Sequence, residues 1–180
     1  MSLLTHNELM DLVESGAIEN VKPENINGAS IDLTLADGFY LEGRVDRNVE
    51  VNLGRKETPR MEYQHGRLML MPGDFALAAT EQIFHLPNDV AGLYVLKSSL
   101  ARAGLNHLNA GYCDPGWNGS ALTMEFHNVL RRHALVLTPG DKCGQLLLFR
   151  GSSPVPLHAS YANTGQYNGD SGVQPSRGVR

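Results

Sequence analysis

Cysteine is nearly missing from this chain: 180 residues carry two, Cys113 and Cys143. Two thiols cannot build a disulfide scaffold or a Cys-rich metal centre. A basic surplus is missing too. Fifteen Lys and Arg stand against nineteen Asp and Glu, for a formal net charge of -4. Non-specific nucleic-acid binding needs a cationic face that displaces counterions, so no nucleic-acid partner is expected. An anionic ligand would have to be held by locally placed Lys and Arg. No apolar run reaches membrane-spanning length, and Met1-Ser2-Leu3-Leu4-Thr5-His6 has no basic region leading into an apolar stretch. The expected address is a reducing cytoplasm, with no membrane partner.

What is present describes one ordinary globular domain, residues 1–180, with 42% hydrophobic and 19% charged residues. Thr5 and Glu8 have capping-box spacing ahead of Leu9, Leu12 and Val13, which predicts an N-terminal helix closed near Gly16. After it the period shortens to two. Ile31, Leu33 and Leu35 alternate with Ser30, Asp32 and Thr34, the pattern of a half-buried strand. Leu68–Met71 and Phe75–Thr80 flank Pro72-Gly73-Asp74, and Ala134–Thr138 meets Cys143–Phe149 through Pro139-Gly140-Asp141. Each reads as a turn between strands, and the echo is a weak internal repeat. Val90–Leu96 and Leu122–Phe126 add further strands. Many short strands punctuated by Pro and Gly predict a mainly β sandwich or barrel with one helix packed outside. Residues 42–66, with Arg44, Asp46, Arg47, Arg55, Lys56 and Glu57, read as a surface excursion or edge hairpin with little to bury. From Ser160 to Arg180 the chain turns to Asn, Gly, Gln, Ser and Pro, the composition of a flexible C-terminal segment. Tyr161, Tyr167 and Arg177 lie on it and can reach a ligand, so it also reads as a closing lid.

Reactive side chains concentrate between residues 97 and 128. Lys97, Ser98, Ser99 and Arg102 follow a strand and open a helical turn, where backbone N–H groups, hydroxyls and a forked guanidinium suit phosphate. Asp114-Pro115-Gly116 reads as a turn, with Trp117 as a core or rim aromatic. In Ala121-Leu122-Thr123-Met124-Glu125-Phe126, Leu122, Met124 and Phe126 take one strand face, while Thr123, Glu125 and His127 take the other. That second face is either wet or turned toward a closed site. In a closed site, burial would raise the Glu125 pKa toward neutrality and suit it to proton shuttling. His107, Asn109 and Cys113 do not make a persuasive metal set, and the His-x-Glu with Pro-Cys-x-x-Cys of zinc-dependent nucleobase deaminases is absent.

These motifs, in this order, resemble the dCTP deaminases of the trimeric dUTPase-like superfamily. The resemblance runs from Ile26-Asn27-Gly28-Ala29-Ser30-Ile31-Asp32-Leu33 through Ser98-Ser99-Leu100-Ala101-Arg102 and Asp114-Pro115-Gly116-Trp117 to Glu125-Phe126. It resumes at Pro139-Gly140 with Gly144-Gln145-Leu146, and in the tail at Gln166-Tyr167 and Gln174-Pro175-Ser176-Arg177. The fold it implies is a dUTPase-like distorted β-barrel, or β-clip, with an N-terminal helix and a C-terminal lid over residues 160–180. The activity it implies is zinc-independent hydrolytic deamination of dCTP to dUTP and ammonia. Glu125 would be the general acid/base, Ser98 and the Ala110 carbonyl would position the water, and Arg102 would hold the site. Substrate would be bound by Lys97, Ser99, Asp114, Thr123, Met124, Tyr161, Gln166, Tyr167, Asp170 and Arg177. Mg²⁺ would arrive with the triphosphate, and the partners would be the nucleotide and two further copies in a homotrimer with interfacial sites.

The chain departs from the family pattern at several points. Lys97 stands where Arg is usual, Gln166 where the phosphate-contacting Lys is usual, and Asp170 where Gln is usual. Spacing is one residue short between Gly104 and Ala110 and one long between Asp114 and Glu125, so a bulge could re-aim Glu125. Ala110-Gly111-Tyr112 resembles the bifunctional members that carry dCTP on to dUMP. That bifunctional reading stays open, as do a dUTPase in which Asp114 activates a water, and a catalytically silent nucleotide-binding regulator.

Overall fold

Alternating apolar residues build most of the molecule. The computed structural model describes residues 1–45 and 49–178. Asp46 and Arg47 of the polar excursion, and Val179 and Arg180 of the tail, lie outside the described residues. The elements in chain order are β1 (Ser2–Leu3), α1 (His6–Glu14), β2 (Ile18–Glu19), β3 (Ile31–Glu42), β4 (Met61–Gln64), β5 (Leu68–Leu70) and β6 (Phe75–His85). They continue with β7 (Val90–Leu96), α2 (Ser98–Arg102), β8 (Leu105–Asn106), β9 (Tyr112–Cys113), β10 (Asn118–Asn128), β11 (Leu135–Leu137), β12 (Lys142–Arg150) and α3 (Tyr161–Thr164). The capping box forms as the spacing predicts: the Thr5 N–H donates to Glu8 Oε2 at 2.9 Å. Leu9 and Leu12 bury the inner face of α1, and Gly16, at φ +79°, turns the chain out of it.

The main sheet runs β8-β10-β6-β3-β12-β7-β9, with β1 on β12, β2 on β6 and β4 on β3. Strand β3 makes it curl. Its first half, Ile31–Thr34, pairs with β12, whereas Phe39–Leu41 pair with β6 and β4. The register slips between Leu35 and Phe39, where Gly38 takes φ +99°, and such a bulge bends a strand and increases its twist. The result is a half-barrel around Ile31, Leu33, Phe84, Met124, Phe126 and Leu146, all fully buried.

The two Pro-Gly-Asp turns are structural equivalents. Neither joins a hairpin; each carries the chain from the small β5/β11 sheet into the main sheet. In both, the Asp carboxylate accepts from the N–H three residues earlier, at 2.8 Å from Met71 and 2.8 Å from Thr138. Gly73 and Gly140 both adopt positive φ, +85° and +90°. The predicted edge hairpin is present where β4 pairs along β3, yet Thr58, Pro59 and Met61 of the same segment turn inward to a cavity.

The tail docks by apolar and polar contacts: Tyr161 packs against the core, and Val173 is buried with Leu77, Ala79 and Ala121. Ser160 is fully buried and donates to Asn88 Oδ1 at 2.6 Å. Farther on, the Ala121 N–H donates to Asp170 O at 2.9 Å, and the Gly169 N–H to Asn118 O at 3.0 Å. The Gln174 N–H reaches Thr123 Oγ1 at 3.1 Å. Residues 168–174 thus lie along β10 of their own chain.

Candidate active site

The polar face of β10 is half-buried rather than wet. Leu122, Met124 and Phe126 enter the core, and Thr123, Glu125 and His127 face the other way, as the alternation predicts. The residue inserted between Asp114 and Glu125 is absorbed before the site. Register against β6 shifts between Asn118 and Ser120 and between Ala121 and Thr123, and Gly119 takes φ +67°. From Thr123, opposite Ala79, to His127, opposite Phe75, the ladder is regular, so Glu125 keeps the face of Thr123.

Glu125 opens onto a cavity of about 450 Å³. One wall is Ala110, Tyr112, Cys113 and Asp114; another is Phe75, Leu77 and Met61; the tail supplies Tyr161, Tyr167 and Asp170. Trp117 closes one end and stacks on Phe84, with ring centroids 5.1 Å apart. Most of this lining is apolar, and burial pushes the Glu125 carboxyl up to about 7. A carboxyl poised there takes a proton from water and returns it within the same pH range.

Several predicted residues converge here. Ala110, Asp114, Thr123, Glu125, Tyr161, Tyr167 and Asp170 all line the cavity. Met124 does not: its side chain is fully buried on the core face, with its sulfur 3.5 Å from Cys143 Sγ. Any contact from Met124 must therefore come from its main chain, because neighbouring strand residues point to opposite faces.

The predicted phosphate residues form a separate group. Ser98, Ser99 and Arg102 are exposed on α2 and do not line the cavity. Lys97, just before α2, donates to Asp32 Oδ1 at 2.7 Å. Lys142 donates to Asp32 Oδ2 at 3.0 Å, and Asn27 Nδ2 adds a third bond at 3.0 Å. Burial raises the Asp32 carboxyl, but these hydrogen bonds more than offset it and hold it below its ordinary value. Asp32 and Lys142 went unmarked in the sequence, where Asp32 reads as one polar position of an alternating strand. The three-residue cluster carries one net positive charge beside the first turn of α2.

In the tail, Arg177 Nη2 donates to Asp170 Oδ1 at 2.8 Å, and its Nη1 to the Gln166 carbonyl. Its guanidinium lies 5.1 Å from the centroid of the Tyr167 ring. The acidic departure at Asp170 is thereby neutralised within its own chain. Gln166 and Arg177 stand behind the cavity lining rather than in it.

Comparison with known proteins bears on this arrangement. Residues 3–151 match the family model described as dCTP deaminase-like. The chain is 36% identical over 182 residues to a protein of Acidothermus cellulolyticus named "dCTP deaminase, dUMP-forming", covering 97% of this chain and 94% of that relative. Among solved structures it resembles the 2'-deoxycytidine 5'-triphosphate deaminase of Agrobacterium tumefaciens, with a TM-score of 0.65 at 18% identity. That match covers 83% of this chain and 48% of the other. It also resembles the dUTPase of Streptococcus mutans, with a TM-score of 0.51 at 16% identity over 76% of this chain and 88% of the other. At these identities the structural likenesses establish the fold, a mainly β, dUTPase-like half-barrel.

Proposed function

The chain belongs to the dCTP deaminase-like family, and on that footing we propose that it hydrolyses dCTP at the cytosine amine and continues to dUMP. The observation that carries the deamination is Glu125: a carboxyl raised to about 7 in a largely apolar cavity, at the family's acid/base position. Glu125 takes a proton from a water that attacks C4 of the ring. It passes that proton to N3 and then assists departure of ammonia, so dCTP and water give dUTP and ammonia. Ser98 and the Ala110 carbonyl position the water, Asp114 contacts the deoxyribose, and Tyr161, Tyr167 and Asp170 close the tail side. In the second step another water attacks the α-phosphorus and pyrophosphate leaves. The dUMP ending is preferred over release of dUTP because relatives matched over nearly their whole length are named dUMP-forming. The Ala110-Gly111-Tyr112 run, whose Ala110 and Tyr112 line the cavity, agrees with that choice.

The triphosphate enters as its Mg²⁺ complex, with the cation as part of the substrate. Phosphate is held by Ser99 and Arg102, next to the cluster of Lys97, Asp32 and Lys142. Because α2 and the Glu125 cavity are separate within one copy, the complete site is built by α2 of one subunit and the cavity of a neighbour in a homotrimer. Met69 and Val136, cross-strand partners on the small sheet, are 47% and 43% exposed, and such apolar surface suits a subunit contact. We place the enzyme in the cytoplasm, where two unpaired cysteines stay reduced.

Incubating the protein with dCTP and Mg²⁺ and resolving the nucleotides by chromatography is the direct test. dUMP with pyrophosphate is the expected product; dUTP alone would restrict the activity to deamination, and unchanged dCTP would overturn it. Activity is also expected to survive a zinc chelator and to fall when Mg²⁺ is withheld. The support is the arrangement of side chains: among the described residues no three His, Cys, Asp or Glu come together as a set that could hold a metal ion. Stoichiometric zinc whose removal abolishes turnover would contradict this.

A further inference from the structure

The chain holds four lysines, Lys22, Lys56, Lys97 and Lys142, and two of them meet on one carboxylate. Asp32 is 4% exposed and takes Lys97 on Oδ1 at 2.7 Å and Lys142 on Oδ2 at 3.0 Å. Asn27 Nδ2 adds a donor to Oδ1 at 3.0 Å. Lys97 alone would neutralise this carboxylate, so the second ammonium leaves the group positively charged. The Lys142 side chain is 42% exposed and that of Lys97 27%, so neither head is sealed from solvent. An ammonium has three N–H donors, and among the described residues each of these uses one, on Asp32.

A bulge aims Lys142 at this group. Gln145 pairs with Asp32 and Lys142 with Thr34, so three steps along β12 cover two along β3, and the register slips between Lys142 and Gly144. Side chains alternate along a strand, and three regular steps would put Lys142 on the face opposite Gln145. The extra residue returns it to the face of Asp32, the kind of re-aiming that bulges provide. On the other edge of β12, Gly144 pairs with Leu96, the last residue of β7. Lys142 therefore leaves the sheet at the end where Lys97 begins the turn into α2, which carries Ser99 and Arg102. The neighbouring carboxylates are engaged elsewhere: Glu81 accepts from the Thr34 hydroxyl at 2.6 Å, and Asp141 from the Thr138 N–H at 2.8 Å.

We infer that Lys142 is a triphosphate-binding residue, set beside Lys97 by Asp32 to form a two-ammonium clamp. The inference rests on the proposed reading of this end of the fold as the phosphate site. Ser99 and Arg102 bring a hydroxyl and a forked guanidinium there, and each lysine adds its two remaining N–H donors. Lys97 is a point charge that cannot fork onto two oxygens as Arg does, and Lys142 provides the second contact. The described residues of the tail offer no unpaired cation in its place: position 166 is Gln, and Arg177 is bonded to Asp170. Asp32 is a positioning residue. It holds two like charges side by side and offsets their repulsion, so both ammonium groups are in place before the anion arrives.

Calorimetric titration with inorganic tripolyphosphate and Mg²⁺ tests the clamp without requiring turnover. Lys142→Met removes the charge and keeps the stem. Its affinity for tripolyphosphate is expected to fall about tenfold, and its KM for dCTP to rise by a similar factor while kcat holds. Lys142→Arg keeps the charge and should bind as the wild type does. Wild-type affinity and KM in Lys142→Met, even with a lowered melting temperature, would reduce Lys142 to a counter-ion for Asp32 and overturn the clamp, with deamination left standing. Tripolyphosphate binding that depends on Lys142, in a protein that leaves dCTP unchanged, would keep the clamp and sink the proposed activity. Should Lys142→Met not fold, the wild-type protein decides. Its lysines are acylated with acetic anhydride and read by mass spectrometry, with exposed Lys22 as the reference. Tripolyphosphate is expected to slow acylation of Lys142 and not of Lys22; an unprotected Lys142 refutes the clamp.

Discussion

Glu125→Gln is expected to lower dCTP deamination by on the order of 10²–10⁴-fold, and by more if both proton transfers pass through this one group. Nucleotide affinity should change little, because Gln keeps the shape of the side chain and Glu125 makes no ion pair among the described residues. A stability measurement separates this loss from misfolding, and its sign is fixed by the raised carboxyl. Buried Glu125 titrates near 7 against an ordinary value of 4.5, so the folded state binds the proton more tightly than the unfolded chain. Its favourable contribution is fully present below about pH 4.5 and is lost as the pH rises through about 7. Gln carries no such penalty. Glu125→Gln should therefore melt above the wild type at about pH 8, and the gap should close toward about pH 4. A variant that turns over dCTP near the wild-type rate would remove Glu125 from the mechanism. One that is inactive and melts lower at every pH would point to collapse of the site instead.

The sequence spoke most clearly where one short-range rule determines the outcome. The Thr5–Glu8 capping box, the two-residue alternation in β3 and β10 and the Pro-Gly-Asp turns all depend on neighbours a few residues away. Each can be read from local chemistry. The same alternation put Glu125 on the non-core face and left only its burial undecided. That burial is supplied by Met61, Phe75 and Leu77 from other strands and by the tail, none of which is near Glu125 in sequence. Asp32 was legible as a strand position but not as the anchor of Lys97 and Lys142. Those partners are 65 and 110 residues away, and the pairing of β12 with both β3 and β7 brings them together. The family resemblance reached Glu125, Asp114 and the α2 motif by order of motifs alone. It could not place α2 outside the cavity of its own chain.

Truncating the tail should separate its two anchors. Composition alone points to a cut after Ala159, but that cut removes Ser160, which is fully buried and bonded to Asn88, and Tyr161, which packs against the core. Leaving Asn88 without its partner costs roughly 1–3 kcal/mol, so low activity in that variant would report damage to the fold. A cut after Gly165 keeps both residues and removes Gln166, Tyr167, Asp170 and Arg177 together. It also deletes the bonds that lay residues 168–174 along β10 and opens one side of the Glu125 cavity to water. Water exclusion and substrate positioning are what a closing segment contributes to catalysis. The cut after Gly165 is therefore expected to leave a folded protein with kcat/KM lowered on the order of 10²-fold, and the cut after Ala159 to lower the melting temperature as well. Steady-state kinetics and thermal melts on the two truncations distinguish these effects. Normal kcat and KM after the Gly165 cut would mean that Tyr167, Asp170 and Arg177 hold only one another, and the site would have to be drawn without them.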